Sequence, residues 1–139
     1  VVDASVAVKW VLSGEAYEEN ATKFKDNQLS ENAEMFAPSL MIHEVANSLW
    51  KAIKLKRITQ EDAFRAMKDL GDLQINLQEQ YWTEVSREFA IAIKLDITTY
   101  DAAYLALSEK MNAPVITADD KLYEKAKGHF KVLHLRDYV

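Results

Sequence analysis

Short apolar runs alternate along this chain with longer stretches of helical periodicity, and that alternation restricts the fold more than any other feature. The short runs are Val1-Val2, Phe36-Ala37, Ile75-Asn76-Leu77, Pro114 to Thr117 and Lys131 to Leu135. Compact runs of this kind read as buried strands. Parallel strands need a crossover between them, usually a helix. The pattern therefore predicts an α/β fold, a sandwich of helices on a short, mostly parallel sheet. With 139 residues, 49% of them hydrophobic, the chain can bury a core of its own, and residues 1–139 are expected to form a single domain.

Periodicity and punctuation mark the helices. One is expected from Ser5 to Leu12, stopped by Ser13-Gly14, and a second from about Tyr17 to Gln28. Ser39 suits the N-cap of a third, whose stripe is Ile42, Val45, Ala46, Leu49, Trp50 and Ile53. Thr59-Gln60-Glu61-Asp62 opens a fourth, with Gly71 after its last apolar residue, and these two helices are expected to form a hairpin. Further helices are predicted for Tyr81 to Leu95, with Val85, Phe89 and Ala92 on one face, for Tyr100 to Met111, and for Asp119 to Lys127, ended by Gly128.

Against this frame four acids stand out, because Asp3, Glu44, Asp101 and Asp119 each fall where a strand ends or a helix begins. The carboxyl ends of parallel strands open onto a common crevice, so acids distant in sequence can meet there. Asp3 reads either as the cap of the helix that follows or as a strand-end ligand. Glu44 lies off the apolar stripe of its helix and reads either as a solvated-face residue or, bordered by Leu40 and Met41 as exposed apolar neighbours, as part of a cleft wall. The helix after Asp101 is apolar nearly all round, and a carboxylate at the head of a buried helix is costly without compensation. Either Asp119 or Asp120 could cap the last main helix, leaving the other as a ligand. Two ionised carboxylates about 4 Å apart repel by roughly 4 kcal/mol at an effective dielectric near 20, so converging acids must bind a cation or protons. An all-oxygen set suits Mg2+ or Mn2+, ions that most often serve phosphate chemistry.

The segments around these acids are VVDASV at Asp3, HEVANSLW at Glu44, TTYDAAYLALSE at Asp101 and ITADDKL at Asp119. In this order and spacing they resemble the PIN domain, over essentially the whole chain. The resemblance implies a three-layer α/β/α sandwich and a metal-dependent ribonuclease. It places a Mg2+- or Mn2+-binding catalytic tetrad on Asp3, Glu44, Asp101 and Asp119, with Ser5 and Thr117 as polar helpers and Asp120 as the alternative fourth acid. Small members of the family include the VapC-type toxins of toxin-antitoxin pairs. By that likeness the chain is expected to be an endoribonuclease toxin acting on RNA, a homodimer, and the target of a small antitoxin. The alternatives are a PIN nuclease of RNA processing or decay, and a PIN fold that binds without catalysis.

Other features bound the reading. Net charge is −5, from 22 acids and 17 bases, which argues against a broad electrostatic grip on nucleic acid. Bound divalent ions would reverse the local field where phosphate approaches. There is no cysteine, hence no disulfide, thiolate nucleophile or cysteine-based zinc site. The start lacks signal-peptide features and no apolar run approaches a membrane span, so a cytoplasmic protein is expected, with a residue or two ahead of Val1. His43, His129 and His134 raise a metal-free, histidine-based ribonuclease as a rival, but His129 beside Gly128 and His134 in an apolar strand suit packing or capping. Lys51, Lys54, Lys56 and Arg57 read as a solvated helix end, and Tyr81, Trp82 and Phe89 as core or subunit interface rather than a base-stacking platform.

Overall fold

Two ladders of three-residue strands, both parallel, form the sheet. The computed structural model describes residues 1–139. Strand β1 (Phe36–Pro38) pairs with β2 (Asn76–Gln78), and β3 (Val115–Thr117) pairs with β4 (Val132–His134). The N-terminal residues stitch the two ladders together. Val2 donates its backbone N–H to Phe36 O at 2.9 Å on one side and bridges Ile116 in parallel on the other, where Asp3 N reaches Ile116 O at 3.0 Å. Val2, Ala37, Val115 and Ile116 are buried, as strands covered by helices require.

The helices are α1 (Ala4–Ala7), α2 (Glu18–Ser30), α3 (Met41–Lys54), α4 (Gln60–Asp72), α5 (Trp82–Leu95), α6 (Thr99–Met111) and α7 (Asp120–Ala126). They flank the sheet, giving the expected α/β architecture. The first helix is shorter than predicted: after Ala7 the chain tightens into a 3-10 turn, Val8–Trp10. Thr59 caps α4 through a reciprocal pair with Asp62, as its sequence foretells, but the helix runs through Gly71 and ends one residue later. α3 and α4 pack as a hairpin, and so do α5 and α6.

Three local expectations are corrected. Ser39 does not cap α3. The N-cap is Leu40, with no side-chain bond, and the Ser39 N–H is spent on Gln78 O at 2.9 Å, extending the strand pairing into the turn. The buried face of α3 is Met41, Val45, Leu49 and Ala52, while Ile42 and Trp50 are about half exposed. Met41 is thus core and not an exposed neighbour of Glu44. On α5 the buried residues are Glu88, Ile91, Ala92 and Leu95, and Val85 and Phe89 face outward. Tyr81, Trp82 and Phe89 are exposed, Trp82 by 90%, so the core alternative for this aromatic set is excluded.

Candidate metal centre

Strand pairing delivers Asp3 to the site. Because Val2 is clamped between Phe36 and Ile116, the next residue leaves the sheet beside Thr117, at the end of β3. Asp3 stands at the head of α1, yet its side chain makes no capping bond. Its Oδ2 instead accepts from Ser5 Oγ at 2.5 Å and from the wholly buried Thr117 Oγ1 at 2.8 Å. Ser5 Oγ in turn accepts from Ala118 N at 2.9 Å, and Thr117 Oγ1 accepts from Asp119 N at 3.0 Å. The two residues expected as polar helpers therefore tie the Asp3 carboxylate to the backbone that leads into α7.

Asp119 is the N-cap of α7, its Oδ1 accepting from Leu122 N at 3.0 Å. Asp120 is engaged elsewhere. Its Oδ1 takes a hydrogen bond from Arg136 Nη1 at 3.1 Å and lies 2.8 Å from Nε2 of buried His134. Nε2 makes no directional hydrogen bond, so that second contact is a close approach and not a bond. His134 itself is packed, edge-on to Tyr17 and Tyr123, with Nδ1 accepting from Arg136 N at 3.0 Å. Histidine chemistry gains no support from this arrangement, since His43 and His129 are exposed and His134 is enclosed.

Glu44 enters from the first turn of α3, placed one short turn beyond β1. Its Oε1 accepts from the phenol of Tyr104 at 2.6 Å. Asp101 lies in the first turn of α6, where the Thr98 side chain caps the helix by accepting from Asp101 N at 3.1 Å. Thr98 is therefore the cap, and the Asp101 carboxylate is left for other work. Tyr104 is the residue that sequence reading passes over. The available signal was a polar atom in a helix otherwise apolar on every side, one turn after Asp101.

Three of the acids, Asp3, Glu44 and Asp101, are shifted, in part by the charges of others of the four. Burial raises the Asp3 carboxyl above its ordinary value, opposed by the bonds from Ser5 and Thr117 and reinforced by Asp119. Burial also raises Glu44, with Tyr104 opposing and the charges of Asp3 and Asp101 adding to the rise. Asp101 is pushed up to about 6, first by burial and then by Asp3 and Asp119, against smaller opposing effects of Thr98 and Lys121. Asp120 appears among none of these influences.

A concentration of like charge held by partly buried oxygens matches the donor chemistry of a hard divalent cation. As the side chains stand, no three acids or histidines are already gathered around one point to hold an ion. Like-charge repulsion opposes such closure, and protein donors occupy one oxygen each of Asp3, Glu44 and Asp119.

Comparison with known proteins agrees with the fold and with the family resemblance. The PIN domain family matches residues 1–128. Ribonuclease VapC3 of Pyrobaculum aerophilum is 32% identical over 126 residues, covering 90% of this chain and 92% of that protein. Exonuclease VapC9 of the same organism is 32% identical over 93 residues, covering 67% and 68%. Ribonuclease VapC9 of Mycobacterium tuberculosis is 29% identical over 135 residues, covering 92% and 91%. Among solved structures, the crystal structure of PAE2754 from Pyrobaculum aerophilum superposes with a TM-score of 0.67 over 97% of this chain and 89% of that one, and at 24% identity it speaks to the fold alone.

Proposed function

Since this chain belongs to the PIN domain family, among its VapC-type ribonucleases, we propose that it is a Mg2+- or Mn2+-dependent endoribonuclease and the toxin of a toxin-antitoxin pair. The observation that supports the reading is that Asp3, Glu44 and Asp101, from separate segments of the chain, are each raised in part by the charge of another of the four acids, Asp119 acting on Asp3 and Asp101. These four residues would hold the ion. A divalent cation there supplies Lewis acidity, lowering the pKa of water and offsetting charge on the phosphodiester.

The chain's own groups do the positioning. Ser5 and Thr117 fix the Asp3 carboxylate, and the cap to Leu122 N fixes Asp119. Both arrangements keep charged oxygens at defined places without reorganisation when a phosphate arrives, which is how preorganised sites lower a barrier. The acids also repel RNA while the cation is missing, so substrate approach depends on the ion.

The partners follow from the same reading. On this reading the protein acts on RNA in the cytoplasm. No helix is long and apolar enough to cross a membrane. An antitoxin tail would cover the acids with a basic residue and set its apolar groups beside them. An apolar groove of about 220 Å³, lined by Met41, Ile42 and Val45 from the Glu44 helix together with Met67, Leu70 and Leu77, offers such a surface. The exposed stripe of Trp82, Val85, Phe89 and Ile93 on α5 is assigned to a homodimer contact.

The deciding experiment uses a circular and a linear form of one RNA, with Mg2+ and with chelator. Cutting of both forms, only with metal, is the expected result. Because one relative is named an exonuclease, end-directed degradation is the second reading, and it would consume the linear RNA and spare the circle. Undiminished cleavage in chelator overturns the metal-dependent mechanism.

A further inference from the structure

We propose that Tyr104 is a positioning residue for the acid crevice, orienting Glu44 by hydrogen bonding one of its two carboxylate oxygens; the inference rests on the metal-site reading above. Tyr104 lies one turn after Asp101 on α6 and is among the largest wholly buried side chains of the protein. A phenylalanine would fill almost the same volume without a polar atom to satisfy. A buried hydroxyl is costly unless it is bonded, and here the bond crosses to another helix, with Glu44 Oε1 at 2.6 Å. A carboxylate oxygen can only accept, so the phenol is the donor of this bond.

The consequence for Glu44 is geometric. A glutamate side chain on a partly exposed helix turn has several rotors, and ordering it costs conformational entropy. Tyr104 holds Oε1, while Oε2 has no protein donor and remains for a ligand. One side chain thus reaches Glu44 on α3 from α6, the helix that presents Asp101. Groups that orient metal ligands in this way commonly change metal affinity by about 10- to 100-fold when removed.

The test measures Mn2+ binding by electron paramagnetic resonance, with no RNA present, for the wild type, Tyr104→Phe, Glu44→Gln and the double variant. Tyr104→Phe is expected to unfold cooperatively by circular dichroism and to bind Mn2+ about tenfold more weakly. Added to Glu44→Gln, it is expected to cause no further loss, because Tyr104 acts through Glu44. A Tyr104→Phe isotherm that overlays the wild type overturns the proposal, and so does a second tenfold loss in the double variant. Should Tyr104→Phe not fold, Tyr104→Met, flexible and of similar reach, carries the same comparison. If the wild type binds no Mn2+, the metal-site reading fails and takes this inference with it; normal wild-type binding with an unaffected Tyr104→Phe defeats the inference alone.

Discussion

Asp119 and Asp120 are neighbours in the chain and serve different masters: Asp119 Oδ1 caps Leu122 N at 3.0 Å, while Asp120 Oδ1 is bound by Arg136 Nη1 at 3.1 Å. Only Asp119 figures among the charges that act on Asp3 and Asp101. Asp119→Asn should therefore abolish RNA cleavage, by at least a hundredfold, with little change in melting temperature, since asparagine caps a helix as well as aspartate does. Asp120→Asn should retain activity within a few-fold and shift stability by no more than about 1 kcal/mol, as expected for an exposed ion pair. Paired activity and melting measurements decide it, and an inactive Asp120→Asn beside an active Asp119→Asn would reverse the assignment.

Asp101→Asn should remove activity and preserve or raise the stability of the metal-free protein. The amide is nearly isosteric, makes no like-charge contact with Asp3 and leaves the Thr98 cap untouched, because that cap involves the Asp101 backbone. Urea unfolding without metal is the measurement. A clear fall in stability together with normal turnover would make Asp101 a structural residue.

The same residue sets a pH dependence. Asp101 is raised from 3.8 to about 6 in the folded protein, so between those values the folded chain binds more protons than the unfolded one. Stability from this group therefore rises as pH falls through the window and is lost as pH rises. Asp3 and Glu44 are shifted in the same direction. Without metal, the midpoint difference between Asp101→Asn and wild type should be larger at pH 7.5 than at pH 4.5. Saturating Mg2+ should raise the wild-type midpoint at pH 7.5, whereas cleavage should weaken toward acid as the ligands take up protons. A difference independent of pH would show that Asp101 is not strained in the fold.

Thr117→Val removes one hydroxyl and keeps the shape of the side chain. That hydroxyl donates to Asp3 and accepts from Asp119 N, in a position without solvent access. Leaving both partners short should cost about 1–3 kcal/mol by urea denaturation and should weaken Mn2+ binding. A variant as stable as wild type would mean that water replaces the hydroxyl.

Much of this arrangement was legible because strand ends are marked twice in the sequence, once by a short apolar run and once by the acid that follows. Val1-Val2 before Asp3 and Val115 to Thr117 before Asp119 carry both marks. The faces of α3 and α5 were not legible. Ile42, Trp50 and Phe89 are large and apolar yet exposed, so a periodicity count draws the stripe toward them, while Met41, Ala52 and Glu88 are the residues that pack. Ser39 is a good cap by composition, but it continues the pairing with Gln78 and the helix starts one residue later than a Ser39 cap requires, with Leu40 at the N-cap. Tyr104 escaped for a similar reason, since its partner lies 60 residues away.

The stitching of the two ladders by Val2 ties activity to the completion of folding. β3 and β4 come from the last part of the chain, and Asp3 meets its partner Thr117 at the end of β3, beside the Val2–Ile116 bridge. A chain still missing β3 and β4, on the ribosome or in a misfolded state, has an Asp3 with nothing to face. On the reading proposed above, the Asp3 site is therefore completed only when the last two strands of the chain are in place.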